Sequence, residues 1–180
     1  MVKARAAATA VFLIAFLALL APAALAADGK SEGTLTVNGK TAKLAYAYAW
    51  AEPGFFDKKK EDVHVILSDV PLPPKALEDT FERIHMADAG TLHAMEVIFG
   101  ADAKAISTSF RDKGFKASPS GVSSDDVFEK KTFDGKTVAG RFWSSKPHEF
   151  FGDVYSFDVT FDAPVARKAK PVPPAGAGKK

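Results

Sequence analysis

Four histidines are the side chains best suited to proton transfer near neutral pH, and none stands at a metal-binding spacing. His64, His85, His93 and His148 include no helical i, i+4 pair and no His-x-His on a strand. His148 is followed by Glu149 and then by Phe150-Phe151. An apolar setting draws the proton affinities of an imidazole and a carboxyl toward neutrality. His148 and Glu149 are therefore the candidate pair for acid–base catalysis, as in a hydrolase. The competing reading is a solvated His–Glu pair in a polar loop. His64 and His93 fall in strand-like segments and can face each other across a sheet, or be half-buried and satisfied by backbone groups. Asp57, Asp62, Asp125, Asp126 and Asp153 lie in three loops, without the regular spacing of a calcium site.

Other chemistry is excluded by what is missing. The chain has no cysteine, which removes thiol nucleophiles, Cys-type zinc sites and thiolate-held haem or iron–sulfur groups. Gly-x-Ser-x-Gly does not occur. Gly39-Lys40-Thr41 and Gly135-Lys136-Thr137 look like the end of a phosphate-binding loop, but Thr34 and Lys130 stand where its first glycine belongs. No metal and no cofactor are expected.

Aromatic loops carry the stronger signal. Thr36–Thr41 matches Thr132–Thr137, 96 positions later, and each copy continues into a segment ending in tryptophan, Trp50 or Trp143. A loop with proline and a phenylalanine pair follows each: Pro53-Gly54-Phe55-Phe56 and Pro147-His148-Glu149-Phe150-Phe151. As an internal repeat, these are two hairpins bringing two aromatic loops to one rim. As coincidence, they are two uses of a common Asn/Asp-Gly turn. Loops are ordinarily polar, so Trp50, Phe55, Phe56, Trp143, Phe150 and Phe151 form a candidate binding set for a glycan, a lipid or an envelope protein. The alternative folds the same rings back as plugs over the ends of the core.

These residues need a scaffold, and the patterning predicts a mostly β one. Thr34–Val37 and the Asn38-Gly39 turn open a hairpin. Leu44, Tyr46, Tyr48 and Trp50 alternate with lysine and alanine, giving a strand with one bulky and one small face. Glu52–Asp62 reads as a loop, and Val63–Ser68 as a strand apolar on both faces and therefore central. Leu77, Phe81 and Ile84 make one amphipathic helix starting at Pro74 and ending near Gly90. Strands resume at Leu92–Phe99, Ala105–Phe110 and weakly at Phe115–Ala117; Val127–Phe133 and Thr137–Trp143 form a hairpin. The last strand alternates Tyr155, Phe157, Val159 and Phe161 with polar residues. Eight or nine antiparallel strands and one helix suggest a β-sandwich, with a closed β-barrel as the alternative.

The ends of the chain indicate compartment. Lys3 and Arg5, the apolar run 11–21 and Ala24-Leu25-Ala26 have the form of a secretory signal peptide over 1–26, with Ala27 as the next cleavage candidate. The apolar run is too short to span a bilayer, so the mature chain has no transmembrane segment. Residues 27–32 read as a flexible lead-in, 33–165 as one β-rich domain, and 166–180 as a disordered basic Pro/Ala/Lys tail. Without Lys3 and Arg5 the chain holds 22 basic and 22 acidic side chains, with basic charge concentrated at the C-terminus. That is not the footprint of a nucleic-acid binder. The expectation is an exported bacterial protein, periplasmic or secreted, acting as a non-enzymatic binding or accessory module. A carrier of a small apolar ligand, held in a barrel lined by Leu44, Tyr46, Tyr48 and Trp50, is a second reading.

Overall fold

The computed structural model describes residues 29–167. The expected signal peptide and residues 168–180 of the expected tail lie outside the described residues. Ten strands and two short helices follow in the order β1 (Gly29–Val37), β2 (Lys40–Pro53), β3 (Glu61–Ser68), α1 (Pro74–Glu78), α2 (Thr80–Asp88), β4 (Ala94–Phe99), β5 (Ala105–Arg111), β6 (Ser120–Gly121), β7 (Asp126–Phe133), β8 (Thr137–Ser144), β9 (His148–Phe150) and β10 (Asp153–Arg167). The domain is mostly β, as its alternating sequence requires.

All strands belong to one sheet in the order β6-β5-β4-β3-β2-β1-β10-β8-β7, with β9 paired to the start of β10. The sheet curls into a half-barrel, so that its two halves face each other across the core. Phenylalanines fill the space between them. Phe99 of β4 lies 4.3 Å from Phe128 of β7 and 5.8 Å from Phe142 of β8, and Phe110 of β5 lies 5.8 Å from Phe157 of β10. Burial of each such ring contributes a few kcal/mol of stability. β3 sits in the middle of its half and is covered on both faces, as its sequence predicts.

Where β1 begins, the curl tightens. Val165, Ala166 and Arg167 of β10 pair in parallel with Ala49, Trp50 and Ala51 of β2, beyond the first residue of β1. Strands β1 and β10 thus take in Gly29–Glu32 of the expected lead-in and Ala166–Arg167 of the expected tail. Pro164 does not end the strand: as a ladder neighbour of Thr137 it needs no donor of its own there. The outer edges are blunted, β6 by its two-residue length and β7 by exposed Glu129, Lys130 and Lys131 beside a bulge.

Three expectations fail. The stripe Leu44–Trp50 does not share a face. Leu44 and Ala47 both point into the main core, because the pairing with β1 slips between Lys30 and Gly33. Tyr46, Tyr48 and Trp50 therefore join the outer cluster with Ile66, Leu72, Ala76 and Leu92, and they do not line an interior. The single helix is two helices. Asp79 is extended (φ −112°, ψ 111°) and its carboxylate accepts the Phe81 amide, which caps α2 and changes its phase. Phe81 is left 72% exposed, and α2 docks through Arg83 and Ala87 instead. Finally, 115–117 is not a strand; the short β6 comes later.

Candidate functional site

β2 and β3 pair as far as Pro53 and Glu61, so the β2–β3 loop is the short tip 54–60. Its backbone is tied down from within. Gly54 donates to the Lys60 carbonyl at 2.8 Å, Lys59 N to Asp57 Oδ1 at 3.0 Å, and Phe55 N to Asp62 Oδ2 at 2.7 Å. With both carboxylates engaged by amides, the rings of Phe55 and Phe56 turn outward, 75% and 82% exposed, edge to face at 5.0 Å. Behind them runs an open groove of about 470 Å³ lined by Glu52, Lys58, His64, Ile98 and Ile106. Its floor is set by the β2–β3 ladder, which places Trp50 opposite His64 with the rings stacked at 5.2 Å. Trp50 Nε1 donates to Glu52 Oε1 at 2.9 Å, and Glu52 Oε2 lies 3.7 Å from His64 Nε2.

The second phenylalanine pair sits at the other end of the sheet. β10 starts where Asn38 N donates to the Val154 carbonyl and finishes beside Ala51, so Phe151 and Phe55 are separated by the length of the roll. The 15 residues of β10 amount to about 50 Å of extended chain. The two aromatic loops do not share a rim. The two matching turns also differ in build: Val37 pairs Lys40 across a two-residue turn, whereas Phe133 pairs Val138 across a longer one closed by Asp134.

Phe150 pairs with Asp153, which makes Phe151-Gly152 a two-residue turn with both φ values positive, 50° and 79°. Asn38-Gly39 adopts almost the same angles, 49° and 77°. Asparagine and glycine suit that geometry; phenylalanine does not. Phe151 is nonetheless held there, 76% exposed and edge to face with half-buried Phe150 at 4.7 Å. Buried Asp153 fixes the hairpin by accepting from Asn38 Nδ2 at 3.0 Å and Lys116 N at 2.7 Å. Those donors, the Lys116 amide first, hold its carboxyl below the usual range. Phe151→Asn should therefore raise stability by about 1 kcal/mol. Chemical denaturation would read this as a higher midpoint with unchanged slope; a lower midpoint would show that the ring packs rather than strains.

The histidines find aspartates, not the expected partners. His148 Nε2 lies 2.8 Å from Asp126 Oδ1, with both side chains at most 10% exposed. Glu149 points outward and does not meet His148, so the expected His148–Glu149 pair does not form. Strand alternation explains this: consecutive residues of β9 face opposite ways. The His148 ring is 5.1 Å from Tyr155, whose hydroxyl is pushed above its ordinary pKa by burial and then by Asp126. Ser123 Oγ contacts Asp125, so it is not aimed at the imidazole. His93 Nδ1 lies 2.7 Å from Asp112 Oδ2 beside a groove of about 510 Å³ with Lys40, Asp69 and Lys113. His93 precedes β4 and does not face His64, which pairs across to Ile98. Among the described residues, no group of three or more histidines and carboxylates is placed to hold a metal ion, and no helix is long and apolar enough to cross a membrane.

Trp143 stands apart from both tips. It is half-buried on β8, with the Arg141 guanidinium 4.5 Å from its ring, and Arg141 makes a two-pronged contact with Asp158 at 2.7 and 2.8 Å. Compared with known proteins, the chain matches no established family, no curated protein and no solved structure.

Sequence reading missed Asp126 and Asp112 as imidazole partners, and Ile98 and Ile106 as walls of the groove. Nothing local marks an aspartate 22 positions from its histidine. Phe151-Gly152 did carry a signal, since X-Gly between two alternating runs is a hairpin turn, but the ring at X disguises it.

Proposed function

We propose that the protein is a non-enzymatic, exported binding or accessory module of the bacterial periplasm or cell surface, and that it binds through the Phe55–Phe56 tip. The observation that carries this reading is the pairing of order with exposure. Two large apolar rings stand more than 70% exposed on a loop held by hydrogen bonds from the amides of Gly54, Phe55, Lys59 and Lys60. A rigid tip that leaves its rings in water gains nothing in the free protein, and it is preorganised for a partner. The groove behind it adds a mixed apolar and charged wall. Export is supported by the form of residues 1–26 in the sequence.

The test is binding of the purified protein to a bacterial cell-envelope fraction. Phe55→Ser with Phe56→Ser should weaken binding about tenfold or more while leaving the melting temperature within a few degrees of the parent, because neither ring belongs to the core. Unaltered binding by the double variant would remove the tip from the function. Turnover of an ester, glycan or peptide that is lost with His148→Ala would replace a binding module by an enzyme.

A further inference from the structure

The partner of the Phe55–Phe56 tip can be narrowed by what surrounds it, given the reading of that tip as the binding surface. We infer that it docks on an anionic lipid bilayer, with Phe55 and Phe56 entering the headgroup–acyl boundary and lysines meeting the headgroups. Three observations converge. Lys58 and Lys59 follow the rings on the exposed tip, and among the described residues neither has a carboxylate partner, whereas Lys60 is 4.0 Å from Asp57. Lys58 Nζ lies 6.0 Å from the Phe55 ring, so cation and aromatic leave the surface together. Aromatic anchors flanked by cations are the composition of an interfacial segment.

The second observation is where the chain continues. Arg167 Nη2 lies 3.5 Å from Glu61 Oε2, at the base of the tip. The residues that follow, 168–180, contain Lys168, Lys170, Lys179 and Lys180 and no acid. The described residue from which these four lysines continue therefore lies at the base of the tip. The third is the charge of the body: residues 29–167, the tip lysines included, hold 18 basic and 21 acidic side chains, a net negative balance that disfavours approach to an anionic surface by the other faces. The Phe150–Phe151 tip, at the far end, has no comparable lysine run and serves as an internal control.

The experiment is vesicle co-sedimentation of the full chain as purified, with its N-terminus read by mass spectrometry and identical in every variant. Vesicles are phosphatidylcholine alone, or phosphatidylcholine with phosphatidylglycerol. Binding is expected to the anionic vesicles only, weakening as salt is raised. Phe55→Ser with Phe56→Ser should reduce it about tenfold, and truncation after Arg167 by several-fold with a flatter salt dependence. Phe150→Ser with Phe151→Ser should leave it unchanged. Equal binding to neutral vesicles, or undiminished binding by the Phe55/Phe56 variant, overturns the lipid assignment. Envelope binding that needs Phe55 and Phe56 without any vesicle binding also overturns it, while leaving the tip as a binding surface for another partner. Absence of both kinds of binding in the parent protein removes that wider reading as well.

Discussion

Gly33→Ala is expected to lose about 3 kcal/mol or more of stability, the largest effect of any single methyl in the domain. Gly33 sits at the slip in β1 with φ 157°, and a Cβ there would lie 2.1 Å from the Asp158 carbonyl oxygen and 2.5 Å from the Val159 Cα. These are backbone atoms of β10, so no side chain can swing aside. The strands must part, and the β1–β10 ladder with them. Gly39→Ala is the matched control: its φ is also positive, at 77°, but nothing lies within 4 Å of its Cβ, so its cost is limited to backbone strain of about 1 kcal/mol. Urea denaturation of the two variants would separate the terms. Equal losses would mean that β1 and β10 are not so close at Gly33.

Arg83→Met is expected to cost about 3 kcal/mol. Arg83 is 3% exposed on α2, and its guanidinium donates to Glu96 of β4 at 2.9 and 3.2 Å, to Thr80 Oγ1 at 3.0 Å, and to the carbonyls of Ala76 and Leu77. It thereby satisfies the open end of α1 and fastens both helices to the outer face of the sheet. Arg111 cannot take its place: its Nε lies 3.3 Å from Glu96 Oε1 but makes no aligned hydrogen bond. Removing Arg83 alone leaves Glu96 with only the unaligned Arg111 contact and strands two carbonyls. Arg83→Met combined with Glu96→Met should cost less than the sum of the two single changes, because the Arg83–Glu96 interaction is lost only once. Additive losses in that cycle would show that Arg83 acts only by packing its stem.

Local turn chemistry was legible wherever it is decided by nearest neighbours. Asn38-Gly39 makes a hairpin turn because both residues tolerate positive φ, and the period of two along Tyr155–Phe161 survives because β10 is flanked by partners on both sides. The alternation from Leu44 to Trp50 misled because its phase is reset from outside, by the slip opposite Gly33 on another strand. Leu77, Phe81 and Ile84 failed likewise: one capping aspartate between them divides the stripe. The aromatic residues of the candidate site were legible as a set but not as a place. Which end of the sheet each loop occupies follows from strand order, and no window of sequence holds that information. His148 drew attention to Glu149 by adjacency, whereas its partner Asp126 arrives through the β7–β8–β10 ladders.

The pairing of β1 with β10 orders events in time. Lys30 stands opposite Asp162 and Val37 opposite Tyr155, so the earliest strand is completed only by the latest. Contacts separated by about 130 residues close slowly, since a long loop must be formed before any pairing rewards it. Until 153–167 emerge, β1 and β2 have each other and β3–β5, and the phenylalanines of β4 and β5 lack the facing rings of β8 and β10. A chain with this strand order is expected to close its roll only once its last strand is available. Protease resistance is therefore expected to be gained only when residues 153–167 pair with β1, the last step of the roll's closure.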